Sequence, residues 1–181
     1  MTGDIILGID PGLSGALAFI DLEGGSLEVV PMPVRHWKTS AGKARSQVDE
    51  DALAAIIRAR RPTIAWVEDV HAIAKGRGPD GEQQGDGVRA AFSFGEGKGI
   101  LRGVLAALGI ARQYVSPQKW KDTFGLIGAK KNASKPRARS LYPACQKVIS
   151  SEGKSEAVLI ATYGVLFAHP PARIVKINKI V

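Results

Sequence analysis

Residues 8–18 read GIDPGLSGALA, and this stretch decides the fold. The apolar run at residues 5–7 precedes it and is typical of a strand buried on both faces. Asp10 ends this run, although a buried carboxylate is costly unless it is paired or bound to a metal. Pro11 and Gly12 predict a turn, and residues 16–20 predict a second strand that returns beside the first. Taken alone, Asp10 fits either a residue that caps the turn or a functional acid.

The length of 181 residues predicts one domain over residues 1–181, with a short edge strand or a flexible tail at 171–181. A hydrophobic content of 45% excludes a disordered chain, and no apolar run is as long as a membrane span. The single cysteine, Cys145, forms neither an internal disulfide framework nor a cysteine metal site. We expect a cytoplasmic protein without a signal peptide and without a membrane partner.

Positive charge is concentrated in one segment of the chain. The 25 basic and 17 acidic residues give a net charge of +8, and residues 117–154 account for +7 of it, with nine basic residues against Asp122 and Glu152. The nine are Lys119, Lys121, Lys130, Lys131, Lys135, Arg137, Arg139, Lys147 and Lys154. A basic block confined in this way favours nucleic acid as a partner over a merely solubilising surface.

A second acid follows a second buried strand. A helix is predicted to begin after Asp49, which caps it, and to end before Pro62. Residues 64–67 then predict a strand parallel to the first, and Glu68 follows it directly. We therefore expect Glu68 beside Asp10. Because two carboxylates about 4 Å apart repel by roughly 4 kcal/mol at an effective dielectric constant near 20, we also expect a cation there.

Two polar segments are predicted to be loops. Residues 27–34 predict a third strand, and the basic residues 36–48 after it predict a mobile surface loop. Within that loop, Trp37 is either a stacking platform or a lid over the core. Residues 70–87 lack periodicity and predict a disordered or ligand-ordered loop.

The helix predicted over residues 88–108 carries Gly95, Gly99 and Gly103 at four-residue spacing. This spacing puts the three glycines on one stripe of the helix, where another backbone can approach closely. The stripe favours packing within the chain or dimerisation over contact with a DNA strand.

The C-terminal part supplies the third acid position. A strand over 110–115 leads into a short helix that begins at Ser116-Pro117, with Trp120 and Phe124 as anchors and Lys119 and Lys121 facing solvent. After a helix over 134–142, residues 154–164 predict a helix buried nearly all round. Glu156 lies in its first turn, and Glu152, one turn earlier, can share its face.

Asp10, Glu68 and Glu156, with or without Glu152, form a set of acids without thiols or paired histidines. Such a set favours a hard cation, Mg²⁺ or Mn²⁺. Together with the basic block it suggests phosphodiester hydrolysis by two metal ions about 3.5–4 Å apart.

The chain resembles the RuvC-type Holliday junction resolvases of the RNase H-like superfamily, in particular the phage and chloroplast-type branch. Six motifs carry the resemblance, in the family's order. They are GIDPGLSGA at 8–16, VEDVH at 67–71, FSFG at 92–95, PQKWK at 117–121, KNAS at 131–134 leading to LYP at 141–143, and KSEAVLIATYG at 154–164. Each motif alone is weak evidence, whereas six in order are specific.

The resemblance implies an α/β, RNase H-like fold with a five-stranded mixed sheet flanked by helices. It also implies a homodimer that cuts four-way DNA junctions symmetrically, with two Mg²⁺ ions per site and Mn²⁺ able to substitute. Asp10, Glu68 and Glu156 match the metal-binding acids, and Lys131 matches the active-site lysine near the scissile phosphate. Related enzymes often carry Asp or His near position 152, so Glu152 stays open as a fourth catalytic ligand. Contacts to DNA are expected from Lys119, Lys121, Lys130, Lys135, Arg137 and Arg139.

Other functions share part of this pattern. A ribonuclease of the same superfamily acting on structured RNA would carry the same acids, since the fold does not decide the substrate. A junction-binding protein with impaired catalysis would lack the fourth ligand. Residues 8–12 also look like a phosphate loop of the actin and sugar-kinase type, but that fold needs a second such loop and a much longer chain.

Overall fold

A mixed β-sheet with helices on both faces forms the centre of the protein. A computed structural model describes residues 4–70, 76–77, 83–84, 88–168 and 179–180, with side chains over 4–70 and 90–167. The strands are β1 (Ile5–Asp10), β2 (Ala16–Asp21), β3 (Ser26–Pro31), β4 (Val34–Lys38), β5 (Ala44–Val48), β6 (Ile64–Glu68), β7 (Gly76–Arg77), β8 (Gln83–Gln84), β9 (Ala111–Val115) and β10 (Lys179–Ile180). The helices are α1 (Glu50–Arg60), α2 (Val88–Ala107), α3 (Pro117–Thr123), α4 (Ser134–Leu141) and α5 (Glu152–Ala168), with a 3-10 turn at Pro143–Cys145.

The strand order of the main sheet is β10-β3-β2-β1-β6-β9. Antiparallel pairing joins β1, β2 and β3, whereas β6 is parallel to both β1 and β9. The expected five-stranded mixed sheet flanked by helices is confirmed, and the two residues of β10 add a short parallel strand beside β3. No helix in the described part of the chain combines the length and the apolar character that crossing a bilayer requires.

Successive side chains of β1 point to opposite faces of the sheet, so the core has one layer on each face. Ile6 belongs to the layer under α5, α3 and α4, whereas Leu7 and Ile9 belong to the layer under α1 and α2. On the first side α5 lies directly on the sheet, since a Cβ added at Gly8 would stand 2.2 Å from the backbone nitrogen of Ala161. The acids at the ends of β1 and β6 are therefore covered by α5.

Residues 36–48 are not a mobile loop, and that prediction is wrong. They belong to an antiparallel hairpin, β4–β5, whose register runs from Val34 opposite Val48 to Lys38 opposite Ala44. The predicted third strand also ends earlier, at Pro31, three residues before Val34. The hairpin is polar because most of its residues are exposed on both faces, a pattern that composition alone does not distinguish from a loop.

Other elements match their predictions with small shifts. The side chain of Asp49 accepts a hydrogen bond from the Ala52 amide at 2.9 Å, so the predicted cap of α1 is confirmed. Helix α5 is longer than predicted and begins at Glu152, which puts both Glu152 and Glu156 within it. The segments predicted as loops at 70–87 and as a tail at 171–181 lie mostly outside the described residues.

Candidate active site

Asp10 and Glu68 end adjacent parallel strands. The register of β1 and β6 pairs Ile9 with Val67, so the two acids that follow occupy neighbouring positions at one edge of the sheet. Strands in a sheet lie about 4.8 Å apart. The predicted proximity of Asp10 and Glu68 is thereby confirmed.

The turn after β1 and the first turn of α5 fit against each other around Asp10. The Gly12 amide donates to Asp10 Oδ1 at 3.3 Å. A Cβ at Gly153 would stand 2.3 Å from the Ser14 carbonyl oxygen and 3.0 Å from Asp10 Oδ2. Glycine at position 153 therefore lets the start of α5, with Glu152, lie directly against the Asp10 carboxylate.

Glu68 is held by an indole. Its side chain is only 6% exposed, and its Oε1 accepts a 2.8 Å hydrogen bond from Nε1 of the fully buried Trp120. The prediction for Trp120 was an anchor of a short helix, which is confirmed, but its role as the hydrogen-bond donor to Glu68 was missed. Nothing in the local sequence shows this contact, because it joins residues 52 positions apart.

Glu156 has two partners from the basic segment. Ser134 Oγ donates to Glu156 Oε1 at 3.3 Å, and Lys121 Nζ lies 3.8 Å from the same oxygen. Lys121 therefore faces the acids rather than solvent alone, which corrects the prediction for this lysine. Among the ion pairs that the described residues form, this is the one that joins a cation to an acid of the site.

A cavity of about 300 Å³ opens beside these acids. Its walls include Glu152, Glu156, Lys121, Lys130 and Lys131. The structure thus brings the predicted Lys131 and Glu152 together with Glu156. Lys119 is exposed outside this cavity, whereas Lys135, Arg137 and Arg139 lie on α4 and are partly buried.

Burial and neighbouring charges raise the pKa values of the carboxyl groups in the site. Burial, together with the charges of Glu68 and Glu156, raises the pKa of Asp10 to about 7, although the Gly12 amide and Lys121 oppose the shift. Burial also raises the pKa of Glu68 against the effects of Trp120 and Lys121. Burial and the charge of Glu68 raise the pKa of Glu156, and Glu152 adds to the shift. The site therefore favours protons or a cation over free carboxylates.

The chemistry of the donor set fits a hard divalent cation. Oε2 of Glu152 is buried and accepts no hydrogen bond from the described residues. In the ranges that the structure describes, no three His, Cys, Asp or Glu side chains converge closely enough to hold an ion as they stand. Carboxylate oxygens are the ligands that Mg²⁺ or Mn²⁺ prefers, and Glu152 Oε2 is free to become one.

The raised pKa of Asp10 predicts how stability depends on pH when divalent cations are absent. Its pKa is about 7 in the folded chain against an ordinary value of 3.8, so between these values the folded state binds more protons than the unfolded state. The free energy of unfolding should therefore fall as pH rises from about 4 to 7, by up to about 4 kcal/mol from Asp10. Urea unfolding at pH 5 and pH 8 in EDTA measures this slope.

Asp10→Asn should flatten that slope without removing it, because the raised pKa values of Glu68 and Glu156 act in the same direction. Equal slopes for the variant and the parent protein would show that Asp10 is ionised at neutral pH and would contradict the prediction.

Comparison with known proteins gives a sequence relative for part of the chain. No family model matches the chain. Over 83 residues it is 35% identical to the chloroplastic Holliday junction resolvase MOC1 of Chlamydomonas reinhardtii, a match that spans 44% of this chain and 9% of that protein. The chain thus covers less than a tenth of the length of this relative.

Two solved structures of Thermus thermophilus RuvC have a similar fold. One, in complex with a Holliday junction substrate, gives a TM-score of 0.56 at 11% identity over 91% of this chain and 94% of that chain. The other gives a TM-score of 0.52 at 16% identity over 91% and 95%. These matches bear out the predicted fold, which is that of RuvC.

Proposed function

We propose that the chain is a structure-selective endonuclease that resolves four-way DNA junctions by paired, symmetric, metal-dependent hydrolysis of phosphodiesters. One observation carries the proposal. The charges of Glu68 and Glu156 raise the pKa of Asp10, and Glu152 and Glu156 line a cavity with lysines in its wall, on the fold of RuvC. The match to MOC1 supports a junction as the substrate.

The four acids would hold two Mg²⁺ ions, with Mn²⁺ able to substitute. Ions of this kind, when bound, lower the pKa of water and stabilise the oxygen that leaves phosphorus. Trp120 keeps one oxygen of Glu68 in a fixed position, and Ser134 does the same for Glu156. The residues of the chain thus orient the carboxylates before an ion arrives.

Lys131 would act on the phosphate itself. It is exposed at the wall of the cavity that Glu156 also lines. An ammonium there stabilises negative charge as it develops on the phosphoryl oxygens in the transition state. Lys121, 3.8 Å from Glu156, would limit the repulsion among the carboxylates.

The DNA backbone would lie along the basic segment that borders the cavity. Lys119 is exposed outside the cavity, Lys130 is exposed in its wall, and Lys135 and Arg139 line a separate shallow groove. Arg139 also donates to the Ile149 carbonyl oxygen at 3.0 Å, so part of its role is to hold α4 in place. Contacts of this kind position the backbone without reading its sequence.

A test compares three substrates in one experiment. With Mg²⁺ we expect a four-way junction to be cut at symmetric positions in two of its strands. We expect no comparable cleavage of a linear duplex or of an RNA hairpin. Omission of Mg²⁺ should abolish cleavage but not binding. Preferred cutting of the RNA hairpin would instead assign the ribonuclease activity, and tight junction binding without cleavage would indicate a junction-binding protein.

Trp120→Phe should weaken metal binding. The variant removes the donor to Glu68 while it keeps an aromatic ring in the buried site. Loss of a residue that orients a ligand costs about 10- to 100-fold in metal affinity or activity. Calorimetric titration with Mn²⁺ measures the affinity directly.

Trp66→Phe is the matched control, because the Trp66 indole nitrogen is buried and donates to no described residue. We expect unchanged metal affinity in this control. An equal loss in both variants would show that core packing, and not the hydrogen bond to Glu68, sets the affinity.

The proposed nuclease would act as a homodimer through α2. Space around the three glycines of the stripe is open in the described part of the chain, since a Cβ added at Gly95, Gly99 or Gly103 meets none of its atoms within 4 Å. The described residues therefore show no packing against this stripe, which favours dimerisation among the two interpretations. Phe92, 71% exposed, lies on the same side of the helix at the i−3 position from Gly95. A second copy of this chain would cover this small and apolar face.

Gly99→Leu should convert the dimer to a monomer without loss of the fold. The side chain enters open space and raises helix propensity by about 1 kcal/mol, but it holds a second backbone away from the stripe. Light scattering at micromolar concentration measures the change. Ala90→Leu, exposed on the opposite side of the same helix, is the control. A dimer that persists in Gly99→Leu would place the interface elsewhere.

A further inference from the structure

The hairpin formed by β4 and β5 combines exposed cations with an exposed aromatic ring. Residues 34–48 contain Arg35, Lys38, Lys43 and Arg45 and no acidic residue. Trp37 is 43% exposed, so it is not a lid over the core. This excludes one of the two interpretations of Trp37 and leaves the stacking platform.

The register of the hairpin puts its functional groups on one face. Residues directly opposite each other in an antiparallel pair project from the same face. Trp37 lies opposite Arg45, and Arg35 lies opposite Gln47. Arg35 shares the face with Trp37, since residues two apart on a strand do so, and its guanidinium carbon is 6.0 Å from the centre of the indole. An aromatic surface is thus flanked by two guanidinium groups.

The hairpin starts from the edge of the sheet that holds the acids. Pro31 at the end of β3 is paired with Ala16, which is paired with Asp10. The Asp49 amide donates to the Pro33 carbonyl oxygen at 2.9 Å and closes the base of the hairpin. Val48 lies beside Pro11 and Leu13 in an apolar cavity of about 350 Å³. The five residues of β4 span about 17 Å from this edge.

Hydrogen bonds and an ion pair hold the hairpin in place, so the face with Trp37 has a defined position. Arg35 forms an ion pair of 3.0 Å with Glu50 at the start of α1 and donates to Gln47 at 3.1 Å. His36 and Ser46 are hydrogen bonded across the other face at 2.8 Å. At the tip, the Thr39 amide donates to the Lys43 carbonyl oxygen at 2.9 Å. Arg45 and Lys43 have no acidic neighbour within the hairpin sequence to neutralise them.

We propose that this hairpin is a second DNA-binding element, in which Trp37 stacks on a nucleobase exposed at the branch point while Arg45 and Lys43 bind the flanking phosphates. The proposal rests on the proposed junction-cleaving function. A ring beside cations is the arrangement that binds unstacked nucleotides, because every base presents a π-face and every nucleotide a phosphate. In an intact duplex both faces of a base are covered by its neighbours, so such a ring has a partner only where stacking is interrupted.

Binding measurements with Trp37 variants test the proposal. Fluorescence anisotropy in EDTA gives the affinity for a four-way junction and for a linear duplex without cleavage. We expect Trp37→Ala to lose roughly 5- to 150-fold of junction affinity, the range for loss of one base–aromatic stack, and to change duplex affinity little. Trp37→Phe should keep most of the affinity. Tyr114→Ala, which removes an aromatic ring 39% exposed on β9, is the control.

Photo-crosslinking locates the contact in the unaltered protein. With 5-iodouracil at the branch point, we expect a crosslinked peptide that contains Trp37. With 5-iodouracil in the middle of an arm, we expect none. Arg45→Ala should lower junction affinity and reduce the slope of log affinity against log salt by about one unit, as loss of a phosphate contact does.

The outcomes separate the two proposals. If the unaltered protein prefers the junction but Trp37→Ala retains that preference and no crosslink forms at Trp37, the hairpin proposal is overturned and the proposed function stands. An equal loss on junction and duplex would overturn base stacking in favour of general backbone contact. If the unaltered protein shows no preference for the junction, the proposed function fails, and the role of the hairpin at a branch point fails with it.

Discussion

Asp10→Asn should abolish cleavage of a four-way junction and leave binding of the junction intact. Asparagine has the same shape but no charge, and it would leave Glu68, Glu152 and Glu156 with a weaker hold on the ions. The basic segment is unchanged by the substitution. We expect the single-turnover rate in Mg²⁺ to fall at least about 100-fold, since one preorganised electrostatic group is commonly worth 10²–10³ in rate. A gel assay at saturating protein measures this rate.

The position of Asp10 supports so large an effect. Oδ1 of its carboxylate accepts a hydrogen bond from the Gly12 amide. Oδ2 lies so close to Gly153 that an added Cβ there would stand 3.0 Å from it. Asp122→Asn, an exposed acid of the basic segment, is the matched control and should cut at the normal rate. Normal cleavage by Asp10→Asn would show that the acids of this edge do not carry the reaction.

Lys131→Ala should reduce the cleavage rate by about 10²–10³ and change junction affinity little. Lys131 shares the cavity wall with Glu152 and Glu156, where an ammonium can act on charge that appears only in the transition state. A lysine that merely touches the backbone would instead cost affinity and lower the salt slope by about one unit. Single-turnover kinetics at saturating protein, together with binding at several salt concentrations, distinguish the two roles.

Lys119→Ala is the control for Lys131→Ala. Lys119 is exposed in the same basic segment but is not in the wall of the cavity. We expect it to behave as a backbone contact, with weaker binding and a normal rate once the junction is saturated. If Lys131→Ala gives the same result as Lys119→Ala, Lys131 positions DNA and the carboxylates are left as the catalytic groups.

Sequence patterns predicted the acids because each one interrupts a strong local signal. Asp10 and Glu68 each end an apolar run, and the strand order follows from connections between neighbouring elements. Glu156 was found for a similar reason, as an acid at the start of an apolar helix. Signals of this kind are local, so a single sequence is enough to detect them.

Side-chain hydrogen bonds between distant segments could not be predicted in this way. Trp120 donates to Glu68 across 52 positions, and Lys98 donates to the Asp69 carboxylate and the Val70 carbonyl oxygen across 29 and 28. Residues 36–48 of the hairpin were also mistaken for a loop. Its strands are exposed on both sides, so they lack the alternation of apolar and polar residues that indicates a half-buried strand.

Close main-chain contacts at Gly8 and Gly153 fix the position of α5 relative to β1 and the turn that follows it. Side chains change rotamer on fast timescales, whereas two backbones in direct contact have almost no freedom to slide. The main chain of α5 therefore holds the backbones of Glu152 and Glu156 at a constant distance from the backbone of Asp10. A methyl group at either glycine would move α5, and both glutamates with it, while the acidic side chains themselves stayed chemically intact.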